Sequence, residues 1–387
     1  MSGHRPQISV VLLNFRSSRD LPACLGGLLN QTFKDFEILL VDQGQKDGSS
    51  DTALRVFSDH FGTRLRLLRA GRNLGFGGGC NLALSHARGR WVALLDTDAV
   101  PDPPWLEALV TAAEGDETVA MCASRIRLLA NPEFLENAGH GLYSDGLLVP
   151  RGRGSRDGPR WETPDEVLCP SGAAALYSRH ALRSIGGFPD SFFSYGEDLD
   201  VGLSLRAKGH RCLYVPKATV RHHLAGTWGR RSLRKAYLTE RNRAWIAIRH
   251  FPAPALASLP AFTLVRWAMV VKAGLKGSGP LAQLIADSKG NVSLDDPPLG
   301  RLRGRGAQLG AVTRLLSLGG AVTIAQLSAA AGARKQLQAR RELHEIGAMG
   351  ASHYRDWLNL FGATATDAAR GWLDGSLVDD NQLAPPT

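Results

Sequence analysis

Compact, β-branched apolar runs, each followed by a polar turn and a helix-like segment, mark the first hundred residues. The runs ISVVLLN from Ile8, FEILLVD from Phe36, RLRLLRA from Arg64 and WVALLD from Trp91 have the length of strands. Their near-continuous apolar character fits strands covered on both faces. The spacing between them leaves room for a crossover helix each time, so the pattern predicts an α/β fold built on a parallel, doubly wound sheet. Such sheets bind ligands at the carboxyl ends of their strands. The residues at those ends are Asn14, Asp42, the loop 71–81, and Asp96 with Asp98.

The rhythm changes after about residue 120. VAMCASRIRLL reads as a further strand, and a Gly-, Arg- and Pro-rich stretch from Gly139 to Pro164 reads as a long loop. Ordered loops of that length are more often functional than idle. VLCPSGAAALYSRHALRSIGGF then predicts a strand and a short helix that Ser178 caps and Gly186 stops. In SYGEDLDVGLSLRAKGH, Leu199, Leu203 and Leu205 form an apolar stripe on a helix whose first turn holds Glu197, Asp198 and Asp200. The spacing of Leu233, Tyr237, Leu238, Trp245 and Ile248 predicts an amphipathic basic helix over 230–250. The organisation expected is a catalytic domain over 1–250, a helical, membrane-proximal region over 251–375, and a flexible tail over 376–387.

Composition narrows the partners. The chain has 387 residues, 44% of them hydrophobic, and a net charge of +10, which favours anionic partners. Cys24, Cys80, Cys122, Cys169 and Cys212 are scattered, without C-x-x-C or zinc-finger spacing, so neither a disulfide framework nor structural zinc is expected. The N-terminal apolar run is too short for a signal and reads as a strand. The stretch FPAPALASLPAFTLVRWAMVVKAGL is interrupted by Pro252, Pro254, Pro260 and Arg266, so it reads as a surface-lying rather than a spanning segment. Beside it, Arg221, Arg230, Arg231, Arg234, Lys235, Arg241 and Arg243 favour an anionic membrane surface over nucleic acid. A helix packed internally is the alternative.

Several stretches could carry chemistry. Asp96-x-Asp98 closes a buried strand and puts two carboxylates on the same side of the chain, a hard-oxygen pair suited to Mg²⁺ or Mn²⁺ carrying a diphosphate. A simple Asp/Pro turn would look the same. The stretch GRNLGFGGGCNLAL is glycine-rich and leads into a helix expected from about Asn81, whose free N–H groups could face an anion. It spells neither the dinucleotide nor the P-loop signature. Asp42 could accept from a nucleobase or ribose, or be a solvated turn residue. The approach FFSY would wall the carboxylates at 197–200 into a cleft, where a partly desolvated Asp198 could act as general base. His222 or His223 could complete a metal site with Asp98.

Taken in order along the chain, these stretches resemble the family 2 glycosyltransferases with the glycosyltransferase A fold, and within them bacterial rhamnosyltransferase-like members. ISVVLLNF, LLVDQGQKDGSSD, NLGFGGGCNLAL, LLDTDAVPDPPWL, SGAAALYSRHALRSIGGFPDSFFSYGEDLDVGLSLRAKGHRCLYVPKATVRHH and TERNRAWI carry the likeness over roughly residues 7–250. The resemblance implies inverting, metal-dependent transfer from a nucleoside-diphosphate sugar to a saccharide or lipid-linked hydroxyl. The setting implied is bacterial cell-surface polysaccharide synthesis; the scattered cysteines fit a reducing cytoplasm, and the basic cluster beside the apolar stretch predicts peripheral attachment to the inner face of the membrane. It implies a donor site of Asn14, Asp42, Asn73, Gly75, Asn81 and Asp96, a metal held by Asp98 and His222, and Asp198 as base. Ser171, Gly172, Glu197 and Asp200 would lie on the acceptor side. Gln43 stands where the family commonly has Asn, and Phe188-Pro189 where it commonly has Phe-Asp. A catalytically silent scaffold and a nucleotidyltransferase are the rival readings. The first is opposed by competent residues at every chemical position, the second by VLLNFRSSRD, which lacks a Gly- and Lys-rich signature.

Overall fold

A computed structural model describes residues 5–44, 47–223, 233–275, 311–346 and 351–371. The expected tail over 376–387, and Arg230 and Arg231 of the basic cluster, lie outside these residues. The four apolar runs form β1 (Ile8–Asn14), β2 (Phe36–Asp42), β3 (Leu65–Arg69) and β4 (Trp91–Leu95). They pair in parallel in the order β4-β1-β2-β3. Between them run α1 (Leu21–Leu29), α2 (Ser49–Phe61) and α3 (Gly75–His86). Every residue of β2 is buried, as a strand covered on both faces requires. Alternation splits the core into two layers. Ile8, Val10 and Leu12 pack with Leu25 and Phe57 on one face, and Val11 packs with Cys80 and Leu84 on the other.

The sheet continues through β5 (Ala99–Pro101), α4 (Trp105–Glu114), β6 (Val119–Leu128) and β7 (Leu135–Asn137). The loop expected from Gly139 contains a small hairpin, β8 (His140–Leu142) with β9 (Leu148–Pro150), and β10 (Asp165–Glu166) follows. Next come β11 (Ala174–Ser178), α5 (Arg179–Ser184), α6 (Glu197–Ala207) and β12 (Arg211–His222). The ten-stranded sheet is mixed rather than purely parallel, because β11 enters antiparallel between β4 and β6. Ser178 caps α5 by accepting from the Ala181 N–H, as its position predicts. All five cysteines are buried and free.

Two expectations need correction. The helix after the glycine stretch begins at Gly75, six residues before the expected Asn81, so Gly77, Gly78 and Gly79 lie inside it. Close packing explains them: a Cβ on Gly75 would stand 2.2 Å from the Phe193 carbonyl oxygen, and one on Gly79 2.7 Å from Gln43 Nε2. The basic helix α7 (Leu233–His250) is not a surface stripe. Lys235 and Arg243 are buried, Arg241 stacks 4.3 Å over Trp245, and Trp245 Nε1 donates to Ala329 of the helix Ala311–Ile346. Its cations are spent inside the fold.

The following helix, α8 (Ala253–Leu275), carries the interrupted apolar stretch. Arg266 points inward and is fully buried, bonded to Asp145 at 2.7 Å and Glu240 at 2.9 Å, with Arg243 completing the network. Leu264 (71% exposed), Val265 and Val271 face outward. Within α8, Ala253–Lys272 is long and apolar enough to cross a membrane by length and composition, and only 17% of it is buried.

Candidate active site

Topology gathers the chemistry at one sheet edge. The register places Asn14 beside Asp42 at the ends of β1 and β2. Asp96 follows β4, and its N–H donates to the Ala173 carbonyl just ahead of β11. Short β5 turns back antiparallel to β12 and pairs Ala99 with His222, which carries that imidazole next to Asp98 across 124 positions of sequence.

Three groups converge there. The ligand atoms of Asp96, Asp98 and His222 lie within 4.8 Å of one another. His222 Nε2 stands 3.0 Å from Asp98 Oδ1 and 3.7 Å from Asp96 Oδ2. On its other side, Nδ1 meets Glu136 Oε2 at 2.7 Å, and Glu136 in turn pairs with Arg153 at 3.6 Å. Burial opposes charge on this imidazole, yet Glu136 and Asp98 hold its pKa well above the usual histidine range. Asp96 is pushed up to about 7 by burial and by Asp98. Two carboxylates and an imidazole crowded together without a full complement of cations fit a hard divalent ion, and the Glu136 bond to Nδ1 is the orienting partner such a histidine needs. His223 is not part of the group: its ring faces Asp20 at 3.6 Å.

Asp198 sits in the first turn of α6. Its Oδ2 accepts from the Gly172 N–H at 3.0 Å, and its Oδ1 is buried with no partner among the described residues. Burial pushes its pKa up to about 6, against the pull of the Gly172 N–H. Gly172 is a glycine for steric reasons, since a Cβ there would stand 2.8 Å from Asp198 Oδ1 and 2.6 Å from the Phe76 ring. Ser171 Oγ accepts from the Ala173 N–H, holding the same turn. Glu197, buried beside Asp198, is pushed to about 8 by burial and that neighbour. Asp200 faces away, paired with Arg249 at 2.6 Å and His250 at 2.7 Å, and so ties α6 to α7.

The loop leading into α6 is strained: Phe193 and Tyr195 adopt positive φ angles of 66° and 71°. Asn242 of α7, fully buried, reaches the carbonyls of Phe192, Ser194 and Tyr195 at 2.6–3.0 Å and fixes that conformation. Asn81 serves the same loop, accepting from the Phe188 N–H and donating to the Phe188 carbonyl and Asp190.

The glycine stretch does not act as an anion cradle through its opening amides. The Leu74 N–H donates to Gln43, that of Gly75 to Asn73 Oδ1, and that of Phe76 to the Phe193 carbonyl. Gln43 also donates to the Gly75 carbonyl, so it joins the end of β2 to the start of α3. Asp42 accepts from the Gly44 N–H and pairs with Arg69 at 3.2 Å. The Asn14 amide donates to Ser49 and Ser50, and its Oδ1 is buried without a partner among the described residues. Glu136 stands in no pattern of its own, and Asn242, although it lies in TERNRAWI, carries no role that the sequence announces.

A mixed sheet with an acid–imidazole cluster at its ligand edge and a half-buried carboxylate near it suits a group-transferring α/β enzyme. Residues 9–186 match glycosyl transferase family 2. Over that span the chain is therefore similar to the family 2 glycosyltransferases, its fold is of the glycosyltransferase A type, and it is a glycosyltransferase. It is 29% identical over 249 residues to the N-acetylglucosaminyl-diphospho-decaprenol L-rhamnosyltransferase of Mycobacterium tuberculosis, covering 58% of this chain and 78% of that protein. It is 30% identical over 257 residues to the pre-mycofactocin glycosyltransferase of the same species, covering 66% of this chain and 51% of that one. In fold it is similar to a crystal structure of GalNAc-T7 with UDP, GalNAc and Mn²⁺, at a TM-score of 0.53 and 15% identity over 70% of this chain and 50% of that one.

Proposed function

We propose that the protein transfers a sugar from a nucleoside-diphosphate sugar to a hydroxyl of a saccharide or lipid-linked acceptor, with inversion at the anomeric carbon. The observation that carries this reading is Asp198, whose one oxygen is held by the Gly172 N–H while the other is buried, has no partner among the described residues and can take a proton. Its pKa of about 6 leaves it ionised near neutral pH and still basic enough to assist an incoming hydroxyl. Asn14 and Asp42 would receive the nucleoside at the ends of β1 and β2, and Asp96 the ribose. Asp96, Asp98 and His222 would hold Mg²⁺ or Mn²⁺, which when bound supplies positive charge to the departing diphosphate. Gly172, Ser171, Asn242 and Asn81 position the base and the strained loop beside it. Glu197, whose pKa burial and Asp198 push up, would lie on the acceptor side, whereas Asp200 serves α6 packing.

The likeness to a decaprenol-linked rhamnosyltransferase supports a lipid-linked acceptor and a deoxyhexose donor. The catalytic unit would be residues 1–250 and the accessory helices 251–375. An outward apolar face on α8, with its arginine turned inward, favours attachment to a membrane surface over spanning, because crossing would require leaving Asp145 and Glu240 behind. Cosedimentation of the full chain with phosphatidylglycerol vesicles tests this, and binding unaffected by Leu264→Ser with Val271→Ser argues against it.

Turnover of UDP-, GDP- and dTDP-sugars, followed as nucleoside diphosphate release with Mn²⁺ and with chelator, tests the main reading. Metal-dependent release that Asp198→Asn reduces by about 10²–10⁴-fold is expected. Turnover that survives either chelation or that substitution overturns it.

A further inference from the structure

The opposite edge of the sheet holds a second concavity, where no function has been assigned. It has a volume of about 500 Å³ and is lined by Arg5, Arg88, Arg90, Arg179 and Arg183, with His180 beside them. Gln7, also in its wall, precedes β1, Arg90 precedes β4 and Arg179 follows antiparallel β11. The seven residues of β1 therefore separate this pocket from the catalytic edge by roughly 20 Å.

Two of the arginines, Arg179 and Arg183, are set in place by backbone carbonyls rather than by carboxylates. Arg179 donates its Nη1–H to the Ala87 carbonyl at 3.3 Å and its backbone N–H to the Arg90 carbonyl. Arg183, one helical turn further along α5, donates to the Leu84 carbonyl at 3.1 Å. The Arg88 backbone N–H is held by Ser9 and Glu37, and the Glu37 carboxylate is itself engaged by Arg66 at 2.7 Å. Asp35 is the one carboxylate lining the cavity among the described residues, and Glu114 just outside it takes Arg90. Five guanidiniums thus face two carboxylates. The crowding is felt: burial, Arg183 and Arg5 all lower the pKa of Arg179.

We propose that this arginine pocket is a binding site for a phosphate or diphosphate group, separate from the donor site. Planar guanidiniums converging from three chain segments present paired N–H groups to tetrahedral oxyanions, and the concave shape suits a compact anion better than an extended polyanion. Such a group could reach the pocket on a free metabolite or on a lipid headgroup, and the two sources give different results below.

The test uses the full chain in chelator at low salt. Calorimetric titration with inorganic pyrophosphate is expected to give saturable binding that weakens as salt rises. Arg88→Gln with Arg183→Gln is expected to weaken it by about tenfold or more, while Asp98→Asn leaves it intact. Arg88→Lys with Arg183→Lys keeps the charge, loses the paired N–H geometry, and should fall between. Donor turnover of both arginine variants should match the unaltered chain, which also reports their folding. If pyrophosphate is silent but phosphatidylglycerol vesicles bind and release on the same Gln substitutions, the ligand is a headgroup and the site stands. The proposal is overturned if the unaltered chain binds neither probe at low salt, if the Gln variant binds both as well as the unaltered chain, or if Asp98→Asn abolishes the binding.

Discussion

Replacing Glu136 by Gln preserves the side chain's size and its ability to accept the His222 Nδ1–H bond, and removes one negative charge 2.7 Å from the imidazole. The two side chains are 5% and 8% exposed, so solvent screens that charge little. An imidazole backed by a carboxylate is a stronger metal donor than one backed by an amide. Loss of such an orienting partner costs about 10–100-fold in metal affinity, or about 1.4–2.8 kcal/mol, and the burial here points to the upper half of that range. The assay is nucleoside diphosphate release against Mn²⁺ concentration. The activation constant should rise by at least about tenfold while the maximal rate at saturating Mn²⁺ stays within a few-fold. Arg153 also loses the Glu136 carboxylate at 3.6 Å, so thermal unfolding in chelator is measured alongside to separate a folding defect from a metal defect. An activation constant within twofold of the parent, or a lowered maximal rate with an unchanged constant, would refute the reasoning that Glu136 acts through His222.

Three further outcomes follow from the same geometry. Because a base works only when deprotonated and burial sets Asp198 at about 6, kcat/KM at saturating metal should be flat above that value and fall about tenfold per pH unit below it; a limb that persists in Asp198→Asn assigns it elsewhere. Gly172→Ala would bring a methyl group within 2.8 Å of Asp198 Oδ1, so kcat should drop at least about tenfold with donor affinity, read by nucleotide titration, unchanged; equal kcat for both proteins would be evidence against the placement. Arg266→Met removes a buried guanidinium from both Asp145 and Glu240 and should cost about 3–5 kcal/mol in urea unfolding, a prediction that a loss under about 1 kcal/mol contradicts.

How much of this was legible in the chain depends on how far apart the interacting residues lie. The strands β1, β2 and β4 announce themselves because burial on both faces is written in consecutive residues, and Asn14, Asp42, Asp96 and Asp98 fall at their ends by counting alone. The Ser178 cap and the acidic first turn of α6 are equally local. The glycines misled because the residue serves two different needs, an exposed amide or a missing side chain, and only the nearness of Phe193 decides for the second. Charge misled in the same way. Arg243 read as a surface cation and Arg266 as an interruption of an apolar stretch, yet both are held by Asp145 from a distant segment, 121 positions from Arg266. Glu136 is the limiting case: it sits on a three-residue strand, and its place beside His222 is set by β6, which pairs with both β7 and β12. A residue that acts by orienting another is defined by a contact, and the contact exists only once the strands that carry the two have been laid against a common neighbour.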